Sequence, residues 1–132
     1  AEFLFQGNAA GGSGFDETIT STGIESFHKE DNSGTPYKAY SAYFDKAQGT
    51  SFQSIAGNPG NGNDECTSGE MLLFNPSSTT FVKHFIATTN IVYSKNHYIA
   101  GYGNTTSAVD AVQFKFVSGE IQAGTISLYG IN

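Results

Sequence analysis

Val109-Asp110-Ala111-Val112-Gln113-Phe114-Lys115-Phe116-Val117 is the stretch that decides the fold. Val112, Phe114 and Phe116 fall on one side of an extended chain, and Gln113 and Lys115 fall on the other. That period-2 alternation marks a strand with one face buried and one face wet. Gly119 closes it. Working upstream, His97-Tyr98-Ile99-Ala100-Gly101-Tyr102 sets Tyr98, Ala100 and Tyr102 on one face, and Gly103-Asn104-Thr105-Thr106-Ser107 turns the chain. Thr80 to Thr89 sends Phe81, Phe85 and Ala87 one way and Val82, His84 and Ile86 the other, which predicts a strand lined with apolar side chains on both sides. Glu70 to Phe74 precedes it and ends at Asn75-Pro76-Ser77-Ser78, where the proline stops a central strand. Downstream, residues 124–131 put Ile126 and Leu128 opposite Ser127 and Tyr129, which predicts a last strand seated in the sheet.

The N-terminal half repeats the theme more faintly. Tyr37 to Phe44 predicts a strand with Tyr40, Ala42 and Phe44 on one face, and Ser51 to Ile55 predicts a shorter one. Ala56 to Asp64 is turn chemistry throughout and reads as an exposed loop. Phe3-Leu4-Phe5 is either the first strand of the chain's own sheet or an arm that contacts a partner by strand addition. Gly7 to Gly14 reads as a flexible hinge, so residues 1–14 are set apart as strand or arm and residues 15–132 as one sandwich domain. Leu4-Phe5-Gln6-Gly7 resembles the remnant of a protease-cleavage site, but we read the start as native, with Ala1 left after removal of an initiator Met. About eight strands with turn signals every roughly 8 to 12 residues predict an all-β, antiparallel β-sandwich of jelly-roll-like form.

Composition agrees and narrows the function. The 132 residues suit one domain, and 11 Phe and 7 Tyr with no Trp favour pleated surfaces. Charged residues are 14%, against roughly 25% in an average soluble domain, so helix formers are scarce. A net charge of −6 with six scattered basic residues provides no cationic face for a phosphate backbone, which argues against nucleic acid. No apolar stretch is long enough to span a bilayer, and no signal peptide is visible, so neither membrane insertion nor export is expected. The lone Cys66 cannot form an intrachain disulfide and reads as an idle thiol.

Residues for chemistry are few. A nucleophilic enzyme needs a base beside its Ser or Cys and a third group to orient that base, and no Gly-x-Ser-x-Gly elbow occurs. His84 and His97 stand inside strand patterns and read as structural histidines, while His28 lies in a polar loop. Three dispersed histidines and one cysteine do not make a zinc site. Asn61, Asn63, Asp64 and Glu65 offer hard oxygens, but not at the spacing of a calcium loop. Neither catalytic residues nor a cofactor or metal is expected.

Four segments together carry a resemblance: Leu73-Phe74-Asn75-Pro76-Ser77-Ser78, Thr106-Ser107-Ala108-Val109-Asp110-Ala111-Val112-Gln113-Phe114, Ser118-Gly119-Glu120-Ile121, and Gly124-Thr125-Ile126-Ser127-Leu128-Tyr129-Gly130-Ile131. They resemble a family of small tailed-bacteriophage virion proteins that end in a Gly-x-Ile-x-Leu-Tyr-Gly strand. Residues 69–132 carry the likeness well, the N-terminal half loosely, and the stretch between Gly14 and Tyr37 is short where relatives have a fuller strand pair. The resemblance implies a non-enzymatic β-sandwich of the virion, assembled in the host cytoplasm, where a single thiol is at home. The role expected is a capsid decoration or cement protein bound to the major capsid protein. Such a protein would be a homo-oligomer, in the first instance a homotrimer, with Tyr37, Tyr43, Tyr93 and Tyr129 at its contacts and Phe3, Leu4 and Phe5 as a clamp on a neighbour. The alternative is a receptor-binding, lectin-like module of a tail fibre, holding host glycan on loops such as Asn58 to Glu65.

Overall fold

A computed structural model describes residues 1–92 and 94–131 of the chain. Nine strands form among the described residues: β1 (Phe3–Ala9), β2 (Ile19–Phe27), β3 (Tyr37–Tyr40), β4 (Lys46–Gly49), β5 (Gln53–Ala56), β6 (Thr67–Leu73), β7 (Lys83–Ile91), β8 (Lys95–Gly103) and β9 (Val109–Phe116). They build an all-β sandwich of two antiparallel sheets. The small sheet has the order β5-β1-β9, and the large one runs β3-β2-β8-β7-β6, with β4 also paired to β2. The first strand pairs with the last and β2 with β8, so the ribbon is rolled up from its two ends in jelly-roll-like fashion.

The alternation predicted for the C-terminal half places the core. Phe85, Ala87 and Ile99 point inward from the large sheet with Ile19, and Phe5 and Ile55 meet them from the small sheet. Phe5 and Phe85 pack edge to face with centroids 5.5 Å apart, the arrangement that ring quadrupoles favour. Removing each such side chain from water contributes about 1.5–3 kcal/mol, so this cluster is what holds the two layers together. Gln113 and Lys115 face solvent on β9, as predicted, while Val112 and Phe114 flank the cluster half-buried.

Several expectations give way. Tyr37 to Phe44 is not one strand: β3 stops at Tyr40, and Ala42–Phe44 winds into a 3-10 turn that drops Phe44 into the core while Tyr40 and Ala42 stay exposed. Gly23 makes this possible, since a Cβ there would lie 2.8 Å from the Phe44 Cβ. Residues 15–36, expected to be poor in strand, contain β2, which runs through the large sheet between β8 and the β3/β4 edge.

Phe81 does not point inward either. β7 begins at Lys83, whose buried ammonium donates to the carbonyls of Phe81 (2.6 Å) and Thr105 (3.2 Å), and this cage leaves the Phe81 ring in solvent. Ile86 and His84 lie on an exposed face, so β7 has one core face and not two.

The hinge expected at Gly7 starts later. Gly7, Asn8 and Ala9 pair with Val112, Ala111 and Val109, and the chain turns only where Gly12 N–H donates to Ala9 O. Residues 1–14 are therefore no separate arm. β1 is the middle strand of the small sheet, with Leu4 and Phe5 buried and Phe3 half-buried, and its ladders to β5 and β9 take up both of its edges. Phe3, Leu4 and Phe5 thus have no free edge with which to clamp a neighbour. Finally, residues 124–131 do not enter a sheet. They pair with no strand among the described residues, with Leu128 90% and Tyr129 79% exposed.

Candidate functional site

Strand register places three cross-strand rows on the outer face of the large sheet. Tyr40, Ile24, Tyr98, Thr88 and Glu70 form the first row, and Thr22, Ala100, Ile86 and Leu72 form the second. Thr20, Tyr102 and His84 form the third, with Phe74 joined to it through its N–H on His84 O at 2.9 Å. Tyr40, Ile24, Tyr98, Ile86, Leu72 and Phe74 are all exposed. Glu70 is the one charged residue in these rows. Apolar residues and tyrosines in rows that hold a single charge resemble the core of a protein interface and not an ordinary solvated sheet surface.

A second feature is a cleft of about 440 Å³ against the outer side of the small sheet, where Tyr43 and Phe52 stand among Glu2, Asp45, Lys46 and Lys115. Lys115 Nζ sits 3.9 Å from the Phe52 ring centroid and Lys46 Nζ donates to Ser51 Oγ at 2.6 Å. Partial burial, then the hydrogen bond to Glu2 and its charge, hold the Tyr43 phenol well above its ordinary pKa, so it remains a donor. Burial lowers the Lys46 pKa, with Glu2 opposing. Tyr40 donates to Asp45 Oδ2, while Asp45 Oδ1 is buried and has no partner among the described residues. Rings beside closely spaced donors and acceptors suit a polar, neutral molecule such as a sugar.

One cluster imitates a catalytic triad. Thr89 Oγ1 lies 3.2 Å from His97 Nδ1, and His97 Nε2 lies 4.0 Å from Glu25 Oε2. Its proton flow runs the wrong way for catalysis. Thr89 donates its proton to Ile55 O at 2.7 Å, so its oxygen accepts from His97 Nδ1–H. Thr89 and His97 are both buried, His97 against the Phe44 ring at 4.8 Å, and no substrate can reach the hydroxyl. The cluster ties β5 to β7 and β8.

Of the other residues singled out from the sequence, His28 is exposed beside Asn32, and His84 lies on the outer face near Tyr102. Glu65 turns its carboxylate onto the N–H groups of Asn61 and Gly62, so the 58–65 loop satisfies its own acceptor, and no cluster of three or more His, Cys, Asp or Glu suited to a metal occurs among the described residues. Cys66 is exposed. Tyr37, Tyr43 and Tyr129 are exposed but lie in three separate places: Tyr37 donates to Glu25 from the β3 edge, Tyr43 borders the cleft, and Tyr129 stands on the unpaired C-terminal segment. Tyr93 lies outside the described residues. The outer-face patch and the cleft were not foreseen, because a residue's own neighbours do not reveal which strands its strand will join. These surfaces must be interpreted from the chain's own residues, since no family model, no curated protein and no solved structure matches it.

Proposed function

We propose that the chain is a non-enzymatic structural protein of a tailed-bacteriophage particle, a capsid decoration or cement protein that stabilises the head by binding the major capsid protein. The observation that carries this reading is the apolar, tyrosine-bearing outer face of the large sheet, where three adjacent cross-strand rows hold a single charge, Glu70. A surface of that composition gains by being covered with protein. The likeness of residues 69–132 to small virion proteins supplies the partner, and a homotrimer at a local three-fold is the assembly that role calls for. The virion is then its place of residence, after assembly in the bacterial cytoplasm. Adding purified protein to stripped capsids tests this directly. The shells should survive heat or low salt better with the protein than without it; equal survival together with no co-sedimentation rejects the reading.

A second reading draws on the cleft beside Tyr43 and Phe52. In that case the chain is a receptor-binding, lectin-like module of a tail fibre that holds host glycan there. Micromolar binding on a glycan array, lost in Phe52→Ala, together with no effect on capsids, would favour it over the first.

A further inference from the structure

The small sheet has three strands facing a large sheet of six, and β9 forms one of its open edges. Val117 N–H donates to Glu2 O at 3.0 Å, which sets the phase of the β1–β9 ladder. Lys115, Gln113 and Ala111 therefore turn their backbone groups to β1, and Val112, Phe114 and Phe116 turn theirs to the open side. Among the described residues only the start of this edge is covered, where Val109 N–H donates to Pro76 O at 2.7 Å. The core beside it is unfinished, since Met71 and Leu73 of β6 and Val112 and Phe114 of β9 are only partly buried against the central cluster.

The same chain carries a strand-like sequence that joins no sheet among the described residues. Residues 124–131 alternate Ile126 and Leu128 with Ser127 and Tyr129, contain no charge and no proline, and match the 8 residues of β9 in length. A segment tethered so close to β9 meets its own edge at an effective concentration of about millimolar. It stands clear nonetheless, with Ile126, Leu128, Tyr129 and Ile131 all exposed. We propose that residues 124–131 of one copy add as a fourth strand to the open β9 edge of a second copy, so that copies of this chain assemble by exchanging C-terminal strands.

In this arrangement the exchanged strand pairs with the free backbone groups of Val112, Phe114 and Phe116, and one of its faces closes over Met71 and Leu73. An added strand beside β6 would extend the longer sheet past the shorter one and cover no half-open core, which is why β9 is the acceptor. Each copy gives one strand and receives one, a contact that closes as a reciprocal pair or a ring. This inference does not rest on the virion reading and holds wherever the assembly resides.

Sedimentation equilibrium of the full chain and of Leu128→Asp, with amide exchange at β9, tests it. Leu128 is 90% exposed, so the variant keeps the strand-type circular dichroism. The full chain should be oligomeric, with slow exchange at the amides of Val112, Phe114 and Phe116. Leu128→Asp should associate roughly 30-fold more weakly or worse and expose those amides. A synthetic peptide of residues 121–131 added to Leu128→Asp should restore the protection. A monomeric full chain overturns the proposal, and slow β9 exchange in that monomer identifies the segment as folded onto its own edge. Unchanged association of Leu128→Asp also overturns it, by placing the contact on another face.

Discussion

His97 lies in the core with its Nδ1–H on Thr89, the Phe44 ring beside it, the Gly57 backbone over its edge, Glu25 beyond Nε2 and Lys95 close to Glu25. Burial lowers its pKa from 6.5; Glu25 pulls it back up and Lys95 pushes it further down. The unfolded chain therefore takes up a proton at this residue before the folded chain does. Stability from His97 is complete above about pH 6.5, and it falls as the pH drops from there to the folded pKa, at up to about 1.4 kcal/mol per pH unit. Thermal midpoints between pH 5 and 7.5 should show this slope in the native chain. His97→Asn, which keeps a donor near the Nδ1 position, should flatten it; an unchanged slope would place the titration elsewhere. Gln6 is a second buried polar anchor: its Nε2 donates to the carbonyls of Glu17 (3.0 Å) and Thr50 (3.1 Å), and its Oε1 accepts from Gly7 N–H at 2.8 Å. Gln6→Leu keeps the bulk and strands those groups, so urea unfolding should show a loss of about 2–3 kcal/mol.

At the scale of elements, the 3-10 turn and β2 fit together around Gly23. Phe44 rests over Gly23, and Ser41 N–H donates to Gly23 O at 3.0 Å, so the turn is fastened to β2 at the position that lacks a side chain. Gly23→Ala should cost about 1–3 kcal/mol by pushing Phe44 out of place, and Phe44→Ala about 3–5 kcal/mol through the cavity it leaves. In urea unfolding the double variant should lose less than the sum, because the new methyl group occupies part of the space that the ring gave up. This pairing also explains what could be read from the sequence. β8 and β9 announce themselves because their two faces differ sharply in polarity. β2 was hidden because its inward positions include Ser21 and Gly23, small residues that the close approach of Phe44 and Gln53 requires. The break at Ser41 was hidden because Tyr40, Ala42 and Phe44 keep an alternating pattern across a turn. The exposure of Phe81 was hidden because the alternation ran through Lys83, whose ammonium is held by the carbonyl of Phe81 two residues before it and by that of Thr105 from a distant turn.

The whole molecule presents two separate features, an open β9 edge with an exposed C-terminal segment of matching length and an apolar outer face on the other sheet. They lie on different sheets, so under the two proposals they serve two contacts at once, the first joining copies and the second holding the assembly to a larger surface. Alternation in residues 124–131 was legible from the sequence, but whether its partner strand belongs to the same chain was not, because pairing energy is indifferent to connectivity. The outer face was illegible for a complementary reason: Ile24, Leu72, Ile86 and Tyr98 come from four strands, and only the register sets them side by side. The two roles can be separated by mutation. Leu72 and Ile86 are cross-strand neighbours and exposed, so Leu72→Lys with Ile86→Lys should change the unfolding free energy by no more than about 0.5 kcal/mol and leave the association of copies intact. The same double variant puts two charges where the partner must be apolar, and desolvating them should abolish co-sedimentation with stripped capsids and the protection of those capsids against heat. Leu128→Asp should show the opposite profile at low protein concentration, with copies falling apart while single chains retain weak capsid binding. If the double lysine variant still reinforces the shell, the outer face is not the docking surface, and the cleft around Phe52 becomes the next surface to block.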